Sequence, residues 1–416
     1  MKRLVICLDG TWNNPEMERS AAGRTRYKPT NVLKIFRAVR PSGRDGTAQI
    51  AFYLEGVGAF VGEPTRFARL QKLADRLLGG AFGGGFEARV KAAYRFLVAN
   101  HEPGDAIYLF GFSRGAAQAH SLARFVDWVG GLLAKPDEYY IPEFFAAFRR
   151  SRARPGAAAQ VIAAIRARRP DDPGALADPR PVEIELLGLF DTVLALGSRL
   201  RADRGEQGVP TVEWRNSFHV GSTPPPIVRA ACQALAIDER RWDFRPQIWE
   251  RAASPQQSLE QRWFPGVHSN IGGGYELDGL ANFALYWMLS EAKRHGLELD
   301  GDYLAHFRPN PKGARPESLS RPMALLELLR GKRGRGGRAL SARGGTTLSI
   351  DPSAVRLLLE DPTYRPANLL SALAARPALL PPLADTERLA VLGLAAQLGG
   401  GRTAEDSSDP GSRVAS

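Results

Sequence analysis

The sequence predicts an α/β fold: a mostly parallel sheet with helices on both faces and a helical insertion placed as a cap. Three observations predict it. Short apolar, β-branched runs alternate with stretches of helical spacing through residue 130. One junction joins a buried strand directly to a helix through Gly111-Phe112-Ser113-Arg114-Gly115. Finally, the strand-like runs end in polar residues such as Asp9, Ser113 and Asp191, at the edge where parallel sheets collect their function.

Taken in order, residues 4–8 form a strand that delivers Asp9-Gly10-Thr11-Trp12-Asn13 at its carboxyl end. Lys2 and Arg3 before it imitate a signal peptide, but the apolar run is too short for one. Thr30 and Asn31 are capping residues for a helix over 32–39. Residues 49–54 read as a second strand, and 65–78 and 86–100 as helices. The glycines between those helices lack the lysine of a phosphate-binding loop. Glu102-Pro103-Gly104-Asp105 breaks the chain before a strand at 106–110, and 116–126 returns to helical spacing.

Residues 135–180 form an insertion in which Tyr139, Tyr140, Ile141, Phe144, Phe145 and Phe148 suit either a cap over the site or core packing. A strand at 182–190 leads to Asp191-Thr192-Val193, 227–235 reads as a helix, 261–265 as a last strand and 280–292 as an amphipathic helix. The resulting division is a catalytic domain over 1–300, a helical, basic extension over 301–402 and a disordered tail over 403–416.

The sequence around Ser113 fits G-x-S-x-G, a tight turn that lifts a serine above the sheet edge and aims a helix N-terminus at it. A serine nucleophile needs a base, and the base needs an orienting acid, in the chain order Ser, Asp, His. Asp191 ends the first strong strand after the insertion. Of six histidines, His268 follows a strand and opens a glycine-rich loop. His101 and His120 precede the acid, His219 lies in a loop, and His295 and His306 lie near a polar helix end. The oxyanion hole falls to the backbone N–H groups of Arg114 and Gly10. Asp9 and Thr11 are kept for positioning substrate. A single carboxylate makes no metal site, and this chemistry calls for no metal and no cofactor.

Composition bounds the rest. The chain has 416 residues, 44% of them hydrophobic and 24% charged, as in folded proteins. Cys7 and Cys232 are its two cysteines, and Cys7 reads as a buried free thiol inside a strand. No run reaches the length of a membrane-spanning helix, so synthesis in the cytoplasm is expected, with signal-less secretion left open. The net charge of +12 comes from arginines concentrated at 149–169 and 308–343. They are read first as a solvated surface and second as contacts for an anionic bilayer; no nucleic-acid motif accompanies them.

Five motifs carry a resemblance: Leu8 to Asn13, Glu102 to Ala116, Phe190 to Val193, Ala236 to Arg241 and Trp263 to Tyr275. Together they resemble the α/β-hydrolase family that includes type VI secretion phospholipase effectors. The resemblance spans roughly residues 3–290. It implies an α/β-hydrolase fold, a triad of Ser113, Asp191 and His268 and, as in the effector members, cleavage of phospholipid acyl esters. Lipid or another ester is then the substrate, and a secretion or immunity protein the partner. The chain has Asn270 where the family usually has Asp after His-Ser, and Asn270 joins the substrate-positioning candidates. The competing reading is a catalytically silent scaffold that binds a protein partner, or nucleic acid through its arginines.

Overall fold

The computed structural model describes residues 1–10, 29–56, 83–169, 171, 176–194, 220–313, 315–319, 338–340 and 347–399, and the backbone of two short ribbons, 18–19 with 25–26 and 202–204 with 210–212. The calls on the 65–78 helix, Thr11, His219 and the 403–416 tail lie outside the described residues.

Seven strands build one sheet: β1 (Lys2–Leu8), β2 (Ala48–Leu54), β3 (Ala106–Phe112), β4 (Ile184–Phe190), β5 (Val228–Ala236), β6 (Ser258–Phe264) and β7 (Thr347–Ile350). They lie in the order β7-β6-β5-β4-β3-β1-β2, and every pair is parallel. The order reverses between β1 and β3, which opens a crevice beyond their carboxyl ends. Leu8 leads to Asp9 on one side of that crevice and Phe112 to Ser113 on the other.

Strand periodicity sorts the core into two layers. Leu4, Ile6 and Leu8 of β1 face the helices α2 (Gly83–Asn100), α3 (Arg114–Val129) and α4 (Ile141–Ser151). Val5 and Cys7 face α1 (Asn31–Ala38) and a later helix, Ala281–Arg294. The structure is thus α/β-hydrolase-like, with a helical insertion after α3. Thr30 caps α1, its hydroxyl accepting from the Leu33 N–H at 3.1 Å. Among the described residues no helix is long and apolar enough to cross a membrane.

Packing bears on two readings made from local pattern, and of the insertion's aromatic stretch Tyr139 is exposed. Tyr140, Ile141, Phe144, Phe145 and Phe148 of the insertion are buried in the main core, where Phe145 and Phe148 meet the ring of Phe125 edge-on. Residues 227–235, expected as a helix, are instead the strand β5 at the middle of the sheet. Alanine favours helix in isolation, but here small residues serve a strand covered on both faces, and tertiary burial overrides propensity.

The chain beyond residue 300 is tied into this sheet. β7 pairs with β6, and Trp263, Ile350, Leu358 and Leu370 share a third core cluster with the helices Pro352–Glu360 and Ala367–Ala375.

Candidate active site

The glycines of the elbow are required by clearance. A Cβ on Gly115 would lie 2.1 Å from the Leu8 carbonyl oxygen, and one on Gly111 2.6 Å from the Ala116 backbone. This closeness lets α3 start directly over the crevice. Gly115→Ala is therefore expected to cost about 3 kcal/mol, the upper part of the range for overpacking, read as a lowered midpoint in urea unfolding.

Ser113 itself sits at φ 58°, ψ −120°, in the left-handed half of the map that side chains avoid. Its backbone is pinned on both sides: the Ser113 N–H donates to the Phe190 oxygen at 3.0 Å, and the Val193 N–H donates to the Ser113 oxygen at 3.3 Å. Asp191 follows β4 with φ 45°, a second strained residue in the same crevice wall.

Asp191 and His268 meet there. Asp191 Oδ2 lies 2.5 Å from His268 Nδ1, and both side chains are buried. Burial by itself would raise the Asp191 pKa, but the charge of Arg338 and the bond to His268 outweigh it and hold the carboxyl below its ordinary range. The His268 pKa is lowered, chiefly by burial and against the pull of Asp191. The imidazole is thus neutral at neutral pH and free to accept a proton. No hydrogen bond joins Ser113 Oγ to His268 among the described residues. Phe112, the residue before Ser113, packs against the histidine, its ring centre 4.7 Å from that of the imidazole.

The loop carrying His268 is held by residues that sequence reasoning gave no site role. Asp238 Oδ2 accepts from the Gly266 N–H at 2.6 Å, and Glu239 Oε2 from the His268 N–H at 3.2 Å. Glu239 also binds Arg241, which pulls its pKa down to about 2 against the effect of burial. Asn31 Nδ2 donates to the carbonyls of Ile271 and Ala281, both at 2.8 Å. A Cβ on Gly272 would run into the Phe112 ring at 2.0 Å, so this glycine lets the histidine loop close against the elbow. The signal in sequence was the run Ala236 to Arg241, one of the five motifs of the resemblance; that its acidic pair stands just past a strand was hidden by the helical reading of 227–235.

Burial raises the Asp238 pKa to about 6, with the Gly266 N–H and the Tyr364 hydroxyl pulling the other way. A raised carboxyl stabilises the fold below its unfolded pKa, and that stability is lost as pH rises through about 6. Asp238→Asn, which keeps an acceptor for Gly266, is expected to flatten the decline in stability between about pH 4 and pH 6, a change of about 2 kcal/mol. Urea midpoints of both proteins across that range check it.

Other candidates are placed as follows. The Gly10 N–H donates to Asp9 Oδ1 at 2.6 Å, so its hydrogen already has a partner. Asp9 is buried, with Oδ2 accepting from the hydroxyls of Thr30 at 2.5 Å and Tyr53 at 2.6 Å. Asn270 is buried, and its Oδ1 accepts from the Val267 N–H at 3.0 Å, bracing the turn before the histidine. His120 is buried edge-on to Trp249, His295 pairs with Glu185 at 2.9 Å, and His306 bonds carbonyls of its own turn.

One functional candidate comes from a stretch read as solvated surface. Arg338 is buried, and its two terminal nitrogens reach Asp191 Oδ1 at 2.5 Å and Oδ2 at 2.9 Å. The surface reading of the 308–343 arginines does not hold at this residue. A guanidinium matches a carboxylate with two parallel donors, and the buried Asp191 supplies the charge that makes its burial affordable.

An uncharacterized protein of Saccharomyces cerevisiae is 33% identical over 144 residues, which make up 32% of this chain and 18% of that protein. The chain thus matches less than a fifth of the length of that curated relative. Among solved structures, an uncharacterized protein from Pseudomonas aeruginosa is 18% identical with a TM-score of 0.39, covering 96% of this chain and 62% of that one. The Tle1 effector, solved bound to the VgrG spike of the type VI secretion system, is 18% identical with a TM-score of 0.36, covering 80% and 81%. The description of the catalytic domain of Tle1-like phospholipase effectors of type VI secretion matches residues 2–291. The chain belongs to that family of Tle1-like catalytic domains.

Proposed function

We propose that the protein is a serine hydrolase that cleaves carboxylic esters, in the first place the acyl esters of phospholipids, through an acyl-enzyme on Ser113. The observation that carries this reading is the buried Asp191–His268 pair at 2.5 Å, standing beside a serine on a strained elbow at the sheet's switch point. Family membership supplies the substrate class.

His268 Nε2 takes the proton of Ser113 Oγ as the oxygen attacks the acyl carbon. Asp191 holds the imidazole by Nδ1 and stabilises the imidazolium that forms. The tetrahedral oxyanion is met by the Arg114 N–H at the start of α3, and each such donor contributes about 3 kcal/mol. The Gly10 N–H joins it once the oxyanion displaces Asp9 Oδ1 as its acceptor. Return of the proton to the leaving alkoxide frees the lysophospholipid, and the same base activates water to release the fatty acid.

A secretion apparatus that delivers the protein, an anionic bilayer that it acts on and an immunity protein that restrains it complete the proposal. Labelling with a fluorophosphonate and peptide mapping tests its core. Modification at Ser113 in the wild type and none in Ser113→Ala is the expected result. No labelling of the folded protein, with or without vesicles of phosphatidylglycerol, would move the reading to the silent scaffold.

A further inference from the structure

Arg338 lies outside the matched family region and is a residue that the triad alone does not account for. The family match ends at residue 291, yet Arg338 reaches back to the acid of the triad. Its grip is specific. One terminal nitrogen binds Asp191 Oδ1 at 2.5 Å and the Ala236 carbonyl at 3.1 Å, and the other binds Asp191 Oδ2 at 2.9 Å and the Phe244 carbonyl. The backbone is held as firmly: Asn368 Nδ2 donates to the carbonyls of Arg338 at 3.1 Å and Ile237 at 2.9 Å. Two residues on, Leu340 is buried in the C-terminal core cluster.

We infer that Arg338 is a positioning residue of the active site, a two-pronged clamp by which the C-terminal region sets the orientation of Asp191 and the proton affinity of the Asp191–His268 pair. The inference rests on the triad reading above.

Geometry gives the first half of the argument. Asp191 has a backbone in the left-handed region, and its carboxylate must serve His268 with one oxygen. The Ala236 N–H steadies the other at 3.1 Å. Fork-on-carboxylate bonding fixes the carboxylate plane, which a single donor leaves free to turn. Misplacement of about 1 Å in such a constellation costs on the order of a hundredfold in rate.

Charge gives the second half. Among the described residues the charged groups acting on the imidazole are Asp191, Arg241 and Glu239, with Arg338 paired behind Asp191. Glu239 accepts from the His268 N–H, and Arg241 binds Glu239 while lying 3.5 Å over the Phe244 ring, which meets the imidazole edge-on. Two carboxylates are thus balanced by two guanidiniums. Removing Arg338 leaves one net negative charge beside the histidine, and the Asp191–His268 pair then binds its proton more tightly, whichever partner carries it. The base is occupied up to a higher pH, and the acid side of the rate profile moves upward.

The test measures kcat and kcat/KM for p-nitrophenyl butyrate against pH in the full chain, for wild type, Arg338→Gln, Arg338→Lys and Ser113→Ala. For Arg338→Gln the acid limb of kcat/KM is expected to rise by about one pH unit, and the plateau kcat to fall about 10- to 100-fold. Millimolar guanidinium ion should restore part of both. Arg338→Lys keeps the charge but loses the fork, so its limb stays near that of the wild type while its plateau falls. A merely structural arginine would move neither limb nor rescue. A folded Arg338→Gln protein with the wild-type limb and plateau would overturn the inference. Should that variant not fold, Arg338→Lys decides: a reduced plateau on an unmoved limb supports the clamp, and an unchanged plateau overturns it. Ser113→Ala separates the two levels. If it still hydrolyses the ester, the triad reading fails and the clamp with it; if it is dead and Arg338 variants behave as wild type, the clamp alone fails.

Discussion

Ser113→Ala is expected to lower kcat on phosphatidylglycerol vesicles and on soluble esters by on the order of 10⁵-fold, while leaving stability within about 1 kcal/mol of wild type. The two halves of that expectation have separate causes. In the proposed mechanism the hydroxyl oxygen is the attacking atom, and the residual rate comes from donors and binding that remain in place. Stability is spared because the Ser113 side chain makes no capping bond to α3. Alanine inherits the same strained φ, so the elbow keeps its geometry. Single-turnover release of fatty acid, read beside a urea unfolding curve, checks both halves. Substantial activity in a folded Ser113→Ala protein would place the nucleophile elsewhere.

Replacing Asp191 is expected to damage activity and stability together. Asp191→Ala removes the acid that orients the base in the proposed mechanism, an expected loss of about 10⁴-fold in kcat, and strands the buried guanidinium of Arg338 without a counter-charge, at about 3–5 kcal/mol. The Ala236 N–H loses its acceptor as well. Asp191→Asn should be comparably inactive but less destabilised, since the amide still offers an oxygen to Arg338. The depressed Asp191 pKa gives a matching pH dependence. Its stabilisation is full above the unfolded carboxyl pKa of about 4 and is lost as pH falls below it. Acid unfolding of the wild type should therefore be steeper than that of Asp191→Asn. Equal unfolding curves for the two proteins would remove Asp191 from the ion pair.

The elbow was legible because its constraints are local. Gly111 and Gly115 are dictated by contacts with backbone one turn or one strand away, and a pattern of small residues around Ser113 shows that directly. Asp191 and His268 were legible as candidates because each follows a strand, and parallel strands present their ends to one edge. Their 2.5 Å contact then follows from strand order, with β4, β5 and β6 side by side. The histidine loop was harder to read. Its glycines mark a close approach without saying to what, and the folded chain shows that Gly272 makes room for Phe112.

Local pattern had no access to the remaining features. The β5 segment is rich in alanine, so its propensity pointed to a helix; its place between β4 and β6, covered on both faces, makes it a strand. Gly10 reads as an oxyanion donor by position, and only the folded chain shows that Asp9 lays its own carboxylate on that N–H. Arg338 lies 147 residues from Asp191 in the chain, in a stretch whose composition resembles solvent-exposed arginine repeats. Periodicity, glycine spacing and strand ends act over a few residues and are written into neighbouring positions. The partner of a buried charge is chosen by where the folded chain excludes water, which is why the candidates Ser113, Asp191 and His268 could be read along the sequence and the arginine that binds Asp191 only in three dimensions.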